Sequence, residues 1–270
     1  MASMGDEKDD SPQLQLTIHP DAIAAPAHRA AAMCREVVDL YFDALAKADL
    51  SQAPQLEHGP FFRTRISGPE MSAEERRNRH EHWVLAKAFQ DLLRGVRGSL
   101  EEAYFCIQLL TAKDLRFESA ATLDEALAPF RKKARELNFP DLMERINRSI
   151  GQPVAFADAY SSMQMARNCL EHRDGTVTHR DVGEDNKLRL RFPRLKAFVE
   201  QHGKEIEIHR NYYVEEKTVI NFKIELRELE FGLGERLKIT PADFEEIAYA
   251  CIQFGSQLAE QVSKMTPHGL

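Results

Sequence analysis

The 270-residue chain is 43% hydrophobic and 29% charged, which is typical of a folded protein with a buried core and argues against a disordered polymer. Its formal net charge of -7 excludes a protein that coats nucleic acid indiscriminately, although a local basic site could still bind RNA. The sequence has no apolar run of the roughly 20 residues that a membrane span needs and no secretion signal at its N-terminus, so we expect a cytoplasmic protein without a membrane contact.

The cysteines and acidic residues show no arrangement that is typical of a metal site. Cys34, Cys106, Cys169 and Cys251 are isolated in the sequence, without a CxxC pair or a Cys/His cluster at zinc spacing. The acidic runs likewise lack the spacing of metal ligands. We therefore expect reduced, buried cysteines, no metal and no cofactor.

The N-terminal part of the chain predicts a tail, a helix and a linker. Residues 1–26 are rich in Asp, Pro, Gln and Ala without steady periodicity, which indicates a mobile tail or a partly docked arm. Apolar residues recur every three or four positions over 27–48, as in an amphipathic helix, and residues 27–71 are thus expected to form this helix and a linker. The sequence Ser-Ala-Glu-Glu at 72–75 predicts a capping box that opens a long helix.

Further helices are predicted after this capping box. Gly95 and Gly98 are candidate interruption sites of the long helix. Another helix is predicted to start at Gly151-Gln-Pro153, because proline is well tolerated in a first turn, and to end at Asp174-Gly175, because glycine accepts the left-handed conformation. Two shorter helices are predicted between the long helix and this one, at 123–137 and 142–150.

The pattern then changes from helical periodicity to alternation. Alternating apolar and polar residues over 187–240 predict a small antiparallel β-insertion. Gly232-Leu-Gly234 is expected to form a turn before a strand at 236–239. Thr240-Pro241 opens a final helix. The other predicted strands lie at 187–192, 195–199, 204–208 and 218–226.

The helix predicted to end at Asp174-Gly175 carries the residues best suited to chemistry. Arg167 supplies a permanent planar cation that suits phosphate, and His172 can transfer protons near neutral pH. Together they suit phosphodiester cleavage, in which histidine moves a proton and arginine stabilises charge on the phosphoryl oxygens. Five positions along a helix turn by about 140°, so this pair is not expected to share a face, whereas Asn168 lies beside His172. We therefore expect a site built from two copies across a two-fold axis.

The run from Ala166 to Val177, ARNCLEHRDGTV, resembles the motif of HEPN domains, in which an arginine and a polar residue precede a histidine near the end of a helix. The helices over residues 72–264 also resemble that helical-bundle family. The predicted fold class is therefore mainly α: a HEPN-like helical bundle over residues 72–270, with a small antiparallel β-insertion at about 187–240.

The resemblance implies a metal-independent endoribonuclease that cleaves RNA as a toxin or an anti-phage defence effector, with its site at a homodimer interface. An antitoxin or another protein partner would belong to such a system. HEPN proteins that are paired with nucleotidyltransferase antitoxins are similar to one another in having a tyrosine two positions after the histidine. This chain has Asp174 at that position, which argues against that subtype. The matching positions are the catalytic pair Arg167 and His172, with Asn168 at the polar position beside the arginine. Arg173 and His179 are further candidates for a supporting or RNA-binding role, although His179 can also be a loop residue without such a role.

A non-catalytic interpretation of the same residues stays open. Arg167 and Glu171 are four positions apart and can form a surface ion pair worth roughly 0.2 to 0.5 kcal/mol, while His172 stabilises the helix end. The arginine-to-histidine spacing also occurs in the charged segment at 76–82, where we expect a solvated surface. The alternative function is a HEPN module without catalytic activity that binds a protein partner or RNA.

Overall fold

The computed structural model describes residues 19–51, 70–112, 120–208 and 218–265 of the chain. In these residues the protein is mainly helical, with six α-helices and a small three-stranded antiparallel sheet, as the sequence predicts. The helices are α1 (Pro20–Lys47), α2 (Ala73–Thr111), α3 (Ala120–Glu136), α4 (Phe139–Ser149), α5 (Ala157–Arg173) and α6 (Pro241–Ser263). The strands are β1 (Lys187–Gln201), β2 (Lys204–Glu207) and β3 (Asn221–Gly232).

Helix α1 begins at Pro20, so the predicted boundary of the tail at residue 26 is wrong. Proline is tolerated at a helix start because the first amides have no partner within the helix. Ile23 is fully buried in the core, which holds the first turns as helix although the sequence shows no steady apolar period there. The rest of the predicted tail, residues 1–18, and most of the predicted linker, residues 52–69, lie outside the described residues.

Helix α2 starts with the predicted capping box. Ser72 Oγ accepts a hydrogen bond from the Glu75 amide at 3.2 Å, and Glu75 Oε2 accepts one from the Ser72 amide at 2.8 Å. The interruption considered at Gly95 and Gly98 does not occur, since α2 is continuous over 39 residues. A Cβ at Gly95 would lie 2.5 Å from Ala30 Cβ, so this glycine instead allows α1 and α2 to approach closely.

Helix α6 closes the bundle against α1. Its start is fixed by Thr240, whose hydroxyl accepts a hydrogen bond at 3.1 Å from a first-turn amide in a second capping box. A Cβ at Gly255 would lie 3.1 Å from the Ala24 oxygen, so the backbones of α1 and α6 are also close. His28 Nε2 lies 3.2 Å from the Ile252 oxygen. These contacts fix α1 against both α2 and α6.

The start of α5 differs from the prediction. The helix begins at Ala157 and not at Gly151-Gln-Pro153. Phe156 lies in the left-handed conformation, with φ of 59°, and this interrupts any continuous helix from the proline. The segment from Gly151 to Phe156 is therefore a turn, a setting that proline fits as well as it fits a first helical turn.

The three strands form one antiparallel sheet in the order β2-β1-β3. Strand β1 is continuous, which corrects the predicted break between residues 192 and 195, and it pairs along the whole of β3. The predicted turn at 232–234 directly follows β3. Arg236 forms a single bridge with Thr176 and does not open the predicted strand at 236–239.

One face of the sheet joins the helical core. Leu188, Leu190 and Phe192 of β1 are fully buried. Ser162 of α5 bonds to both backbone groups of Arg191, accepting from its amide at 2.8 Å and donating to its carbonyl at 3.2 Å. Helix α5 is therefore fixed directly to β1, which places the predicted site next to the sheet.

Gly95→Ala is expected to lower the free energy of unfolding by about 1 to 2 kcal/mol, because overpacking outweighs the better helix propensity of alanine. The added methyl group would meet Ala30 Cβ at 2.5 Å and the Pro26 oxygen at 2.8 Å, and neither atom can rotate away. Denaturant unfolding followed by circular dichroism measures the change. Gly151→Ala is the matched control, since a Cβ there would meet nothing within 4 Å. Equal stability of the two variants would contradict the close packing of α1 on α2.

Candidate functional site

The second half of α5 is buried on one side, so its opposite side carries the candidate residues. Ala166, Cys169 and Leu170 lie in the core. The helix ends where Asp174 and Gly175 take the left-handed conformation, with φ of 51° and 77°. The Gly175 amide donates to the Cys169 oxygen at 3.2 Å, which satisfies a carbonyl of the last turn.

Arg167 and His172 meet at one carboxylate. Arg167 Nη2 lies 2.6 Å from Glu171 Oε2, and His172 Nε2 lies 3.9 Å from the same oxygen. Both side chains therefore lie near Glu171, although five positions along the helix turn by about 140°. The His172 side chain is 62% exposed and that of Arg167 is 23% exposed, so the imidazole is open to a ligand while the guanidinium is largely covered. Glu171 is thus the third member of what we name the α5 cluster, Arg167, Glu171 and His172.

Asn168 fixes the position of Arg167. Its Oδ1 accepts a hydrogen bond from Arg167 Nη1 at 3.3 Å and another from Gln164 Nε2 at 3.1 Å. The guanidinium therefore has Asn168 and Glu171 as its two polar neighbours on α5. Asn168, which helix geometry places beside His172, therefore orients Arg167 instead.

Arg173 is directed to a different partner. Its guanidinium forms two hydrogen bonds with Asp181, one of them from Nε to Oδ2 at 2.8 Å, and the Asp181 side chain is only 2% exposed. Thr178 donates to the same carboxylate from its amide at 2.9 Å and from its hydroxyl at 2.8 Å. Burial alone would raise the pKa of Asp181, but the hydrogen bonds from Thr178 and Arg173 outweigh burial and hold the pKa below its ordinary value. This arrangement favours a structural role for Arg173.

His179 is exposed on the turn that contains Asp181. In this turn the Asp181 amide donates to the Thr178 oxygen at 2.9 Å. The buried pair of Arg173 and Asp181 joins the turn to the last turn of α5. His179 and its neighbour Arg180 are therefore held near the helix end with their side chains in solvent.

A second histidine lies at the end of α5, where no sequence pattern predicts it. His82 of α2 has its Nε2 atom 3.7 Å from the position that a Cβ on Gly175 would occupy. Burial lowers the pKa of His82, and the charges of Arg236 and Lys238 lower it further. Its imidazole is therefore predominantly neutral at pH 7 and can donate or accept a hydrogen bond.

The charged start of α2 is in part the solvated surface that the sequence indicated, since Asn78 and Arg79 are exposed. Two of its residues pack instead. Arg76 is buried, and its Nε donates to the Leu50 oxygen at 3.1 Å. His80 Nδ1 lies 2.7 Å from the Tyr41 hydroxyl. Both contacts tie α2 to α1 and to the residues that follow α1, so these two side chains serve the fold.

Comparisons of the chain with protein-family models, curated proteins and solved structures find no match. Over the described ranges, no group of three or more His, Cys, Asp or Glu side chains is placed to hold a metal ion. None of the helices in the described part of the chain combines the length and the apolar character that a bilayer crossing requires. The functional assignment therefore depends on the side chains at the end of α5.

Asp181→Asn is expected to lower the free energy of unfolding at pH 7 by about 1.5 to 3 kcal/mol, because a neutral amide cannot replace the charged hydrogen bonds. The pKa of Asp181 in the folded protein lies below its ordinary value of 3.8, so the contribution of this carboxylate is complete above that pH and is lost as the pH falls further. Denaturant unfolding at several pH values should show a difference from wild type that shrinks below about pH 4. Asp39→Asn, at an exposed position of α1, is the control. A difference that does not change with pH would be evidence against this assignment.

Proposed function

We propose that the protein is a HEPN-type, metal-independent endoribonuclease that acts as a homodimer in a toxin or anti-phage defence system. The observation that supports this most directly is that Arg167 and His172 both lie near one oxygen of Glu171, at 2.6 Å and 3.9 Å. It brings a permanent cation and a proton-transferring group within reach of a single phosphate. The helical architecture agrees with the resemblance on which the proposal rests.

In this proposal two side chains divide the chemistry of phosphodiester cleavage. His172 takes a proton from the ribose 2'-hydroxyl or delivers one to the leaving oxygen, while Arg167 stabilises the negative charge on the phosphoryl oxygens. Asn168 holds the guanidinium in place through its hydrogen bond. Because Glu171 already contacts Arg167, an RNA phosphate has to replace this carboxylate when it binds.

A second copy of the chain completes the site in this proposal. Cleavage needs a general base and a general acid, and one α5 cluster supplies a single imidazole. Two α5 ends that meet across a two-fold axis would supply His172 from each copy. The high exposure of His172 leaves it accessible for this approach. An antitoxin or another protein partner would act by covering the same exposed end.

Arg167→Ala and His172→Ala are each expected to reduce RNA cleavage by at least about 100-fold, because charge stabilisation and proton transfer each contribute about that much. The assay measures cleavage of total RNA by the purified protein in the presence of EDTA. Arg148→Ala on α4 and His202→Ala in the turn after β1 are matched controls at exposed positions and should retain activity. Undiminished cleavage by both variants of the α5 cluster would reject the nuclease.

Glu171→Gln is expected to tighten RNA binding by about twofold to fivefold, because the phosphate no longer competes with an ion pair worth about 0.2 to 1 kcal/mol. Binding is measured by fluorescence anisotropy in the His172→Ala background, in which the RNA stays intact. Glu144→Gln, which removes the exposed ion pair with Arg148 on α4, is the control. Unchanged RNA affinity in Glu171→Gln would mean that Arg167 does not receive the phosphate.

A HEPN module without catalytic activity is the second candidate function. The ion pair between Arg167 and Glu171, with its 2.6 Å contact, favours it, because a solvated helix surface uses the same pairing at this spacing. Salt-sensitive RNA binding without cleavage products would select an RNA-binding module. A stable protein complex that survives His172→Ala, without cleavage of RNA, would select a protein-binding module.

A further inference from the structure

Strand β3 lies at the edge of the sheet and presents apolar side chains to solvent. It pairs with β1 along one edge, and across the described residues no strand pairs with its other edge. Phe222, Ile224 and Leu226 point to one face and are all exposed. Edge strands in proteins are usually protected by charge, proline or a short length. Strand β3 has 12 residues and no proline, and the charges on its exposed face, Glu228 and Glu230, follow the three apolar side chains, so residues 222–226 lack such protection on that face.

The exposed apolar residues continue onto neighbouring elements. Leu195 of β1 lies opposite Ile224 in the sheet register and is also exposed. Phe156, which precedes α5, is exposed as well, and together with Leu226 it lines a cleft of about 290 Å³. We name these five residues, Phe156, Leu195, Phe222, Ile224 and Leu226, the β3 patch. An apolar patch of this kind beside an unpaired strand edge is typical of an interaction surface.

The other face of β3 is charged and already paired. Lys223 lies 2.5 Å from Glu205, and Glu225 receives hydrogen bonds from Arg194. These ion pairs hold the charged side chains on the inner face of the sheet. They leave the outer face of β3 apolar around Ile224.

We propose that β3 pairs in antiparallel orientation with β3 of a second copy of this chain, around a two-fold axis at Ile224, to form a continuous six-stranded sheet. In this register Ile224 faces its own copy, and Phe222 faces Leu226 of the second copy on the apolar side. On the charged side, Lys223 faces Glu225 of the second copy. The Phe222–Leu226 and Lys223–Glu225 pairs each occur twice, because the interface is symmetric, and the Ile224 pair on the axis occurs once.

The neighbouring registers are less favourable, which is why the proposal commits to Ile224. An axis at Glu225 would place this carboxylate opposite its own copy and Lys223 opposite Arg227. An axis at Leu226 would place two apolar residues of β3 opposite carboxylates, Ile224 opposite Glu228 and Phe222 opposite Glu230. The axis at Ile224 places one apolar residue opposite a carboxylate, Ile220 before β3 opposite Glu228. Like charges directly opposite each other, and apolar groups opposite charges, weaken strand pairing. Residues 221–227 of β3 are therefore complementary to themselves in the register at Ile224.

This interface is separate from the one proposed for the nuclease. The end of α5 contacts the chain just after β3, where the Gly234 amide donates to the Val177 oxygen at 2.9 Å. Ile224 lies eight residues before the end of β3 at Gly232, about 27 Å along the strand. A chain that uses both two-fold interfaces would assemble into a tetramer or a longer array.

Cysteine cross-linking tests the register. Ile224→Cys is expected to give a covalent dimer on non-reducing gels after oxidation with copper phenanthroline, because residues on the axis have Cβ atoms about 4.5 to 5.5 Å apart. Leu226→Cys is the matched control: its side chain is 49% exposed, against 44% for Ile224, but it would face Phe222. The four native cysteines are buried and do not contribute. Equal cross-linking of both variants, or of neither, would overturn the register.

Sedimentation velocity over a range of concentrations tests the interface itself. Ile224→Lys places two like charges on the axis and should weaken the association by at least about tenfold, while Leu40→Lys, at an exposed position of α1, should not. A wild type that stays monomeric, or a dimer that Ile224→Lys leaves unchanged, would overturn the proposal. An Ile224→Lys variant that is a dimer and cleaves RNA would support the proposed nuclease, whatever the result for the β3 interface. A failure of the β3 interface is therefore distinguishable from a failure of the nuclease.

Discussion

The buried ion pair between Arg173 and Asp181 fixes the region on which the candidate site depends. Asp181 is almost fully buried, and an unpaired charge in this position would be strongly unfavourable. The pair joins the last turn of α5 to the turn that follows it. Backbone hydrogen bonds then join this region to the segment before α6, since the Leu237 amide donates to the Gly175 oxygen at 2.8 Å. The helix end, the edge of the sheet and the start of the last helix are thereby held as one unit.

Two arginines on α5 show that the burial of a side chain's partner decides whether a ligand can reach that side chain. Arg173 is held by a carboxylate that Thr178 also binds from its amide and its hydroxyl, so a ligand would have to break a buried network to reach the arginine. Arg167 is held by Glu171, a partly exposed side chain whose release costs little. The first arginine therefore belongs to the scaffold, whereas the second has a partner that solvent already reaches. Both have the same chemistry, and only burial of the partner separates them.

The sequence predicted those features that are encoded over a few neighbouring residues. The capping box at Ser72 and the helix start at Thr240 are examples, because each is encoded within four residues. Gly95 was misjudged because its role depends on the approach of a second helix, which no local pattern contains. In the candidate site, spacing alone also fits the segment at 76–82, and the position of the motif near the end of a helix selected Arg167 and His172 as candidates. The shared contact through Glu171 depends on side-chain conformations, and the placement of His82 depends on how α2 and α5 pack.

The position of α1 against α6 has a consequence for the synthesis of the chain. The contact between His28 and Ile252 joins residues that are 224 positions apart. A ribosome that adds about 5 to 20 residues per second completes α1 roughly 10 to 45 seconds before it reaches this partner. During that interval the apolar side of α1, which includes Ile23, cannot be covered by α6. Helix α2 follows much earlier and can cover its own side of α1, but the side that faces α6 stays uncovered until a late step of high contact order closes the bundle.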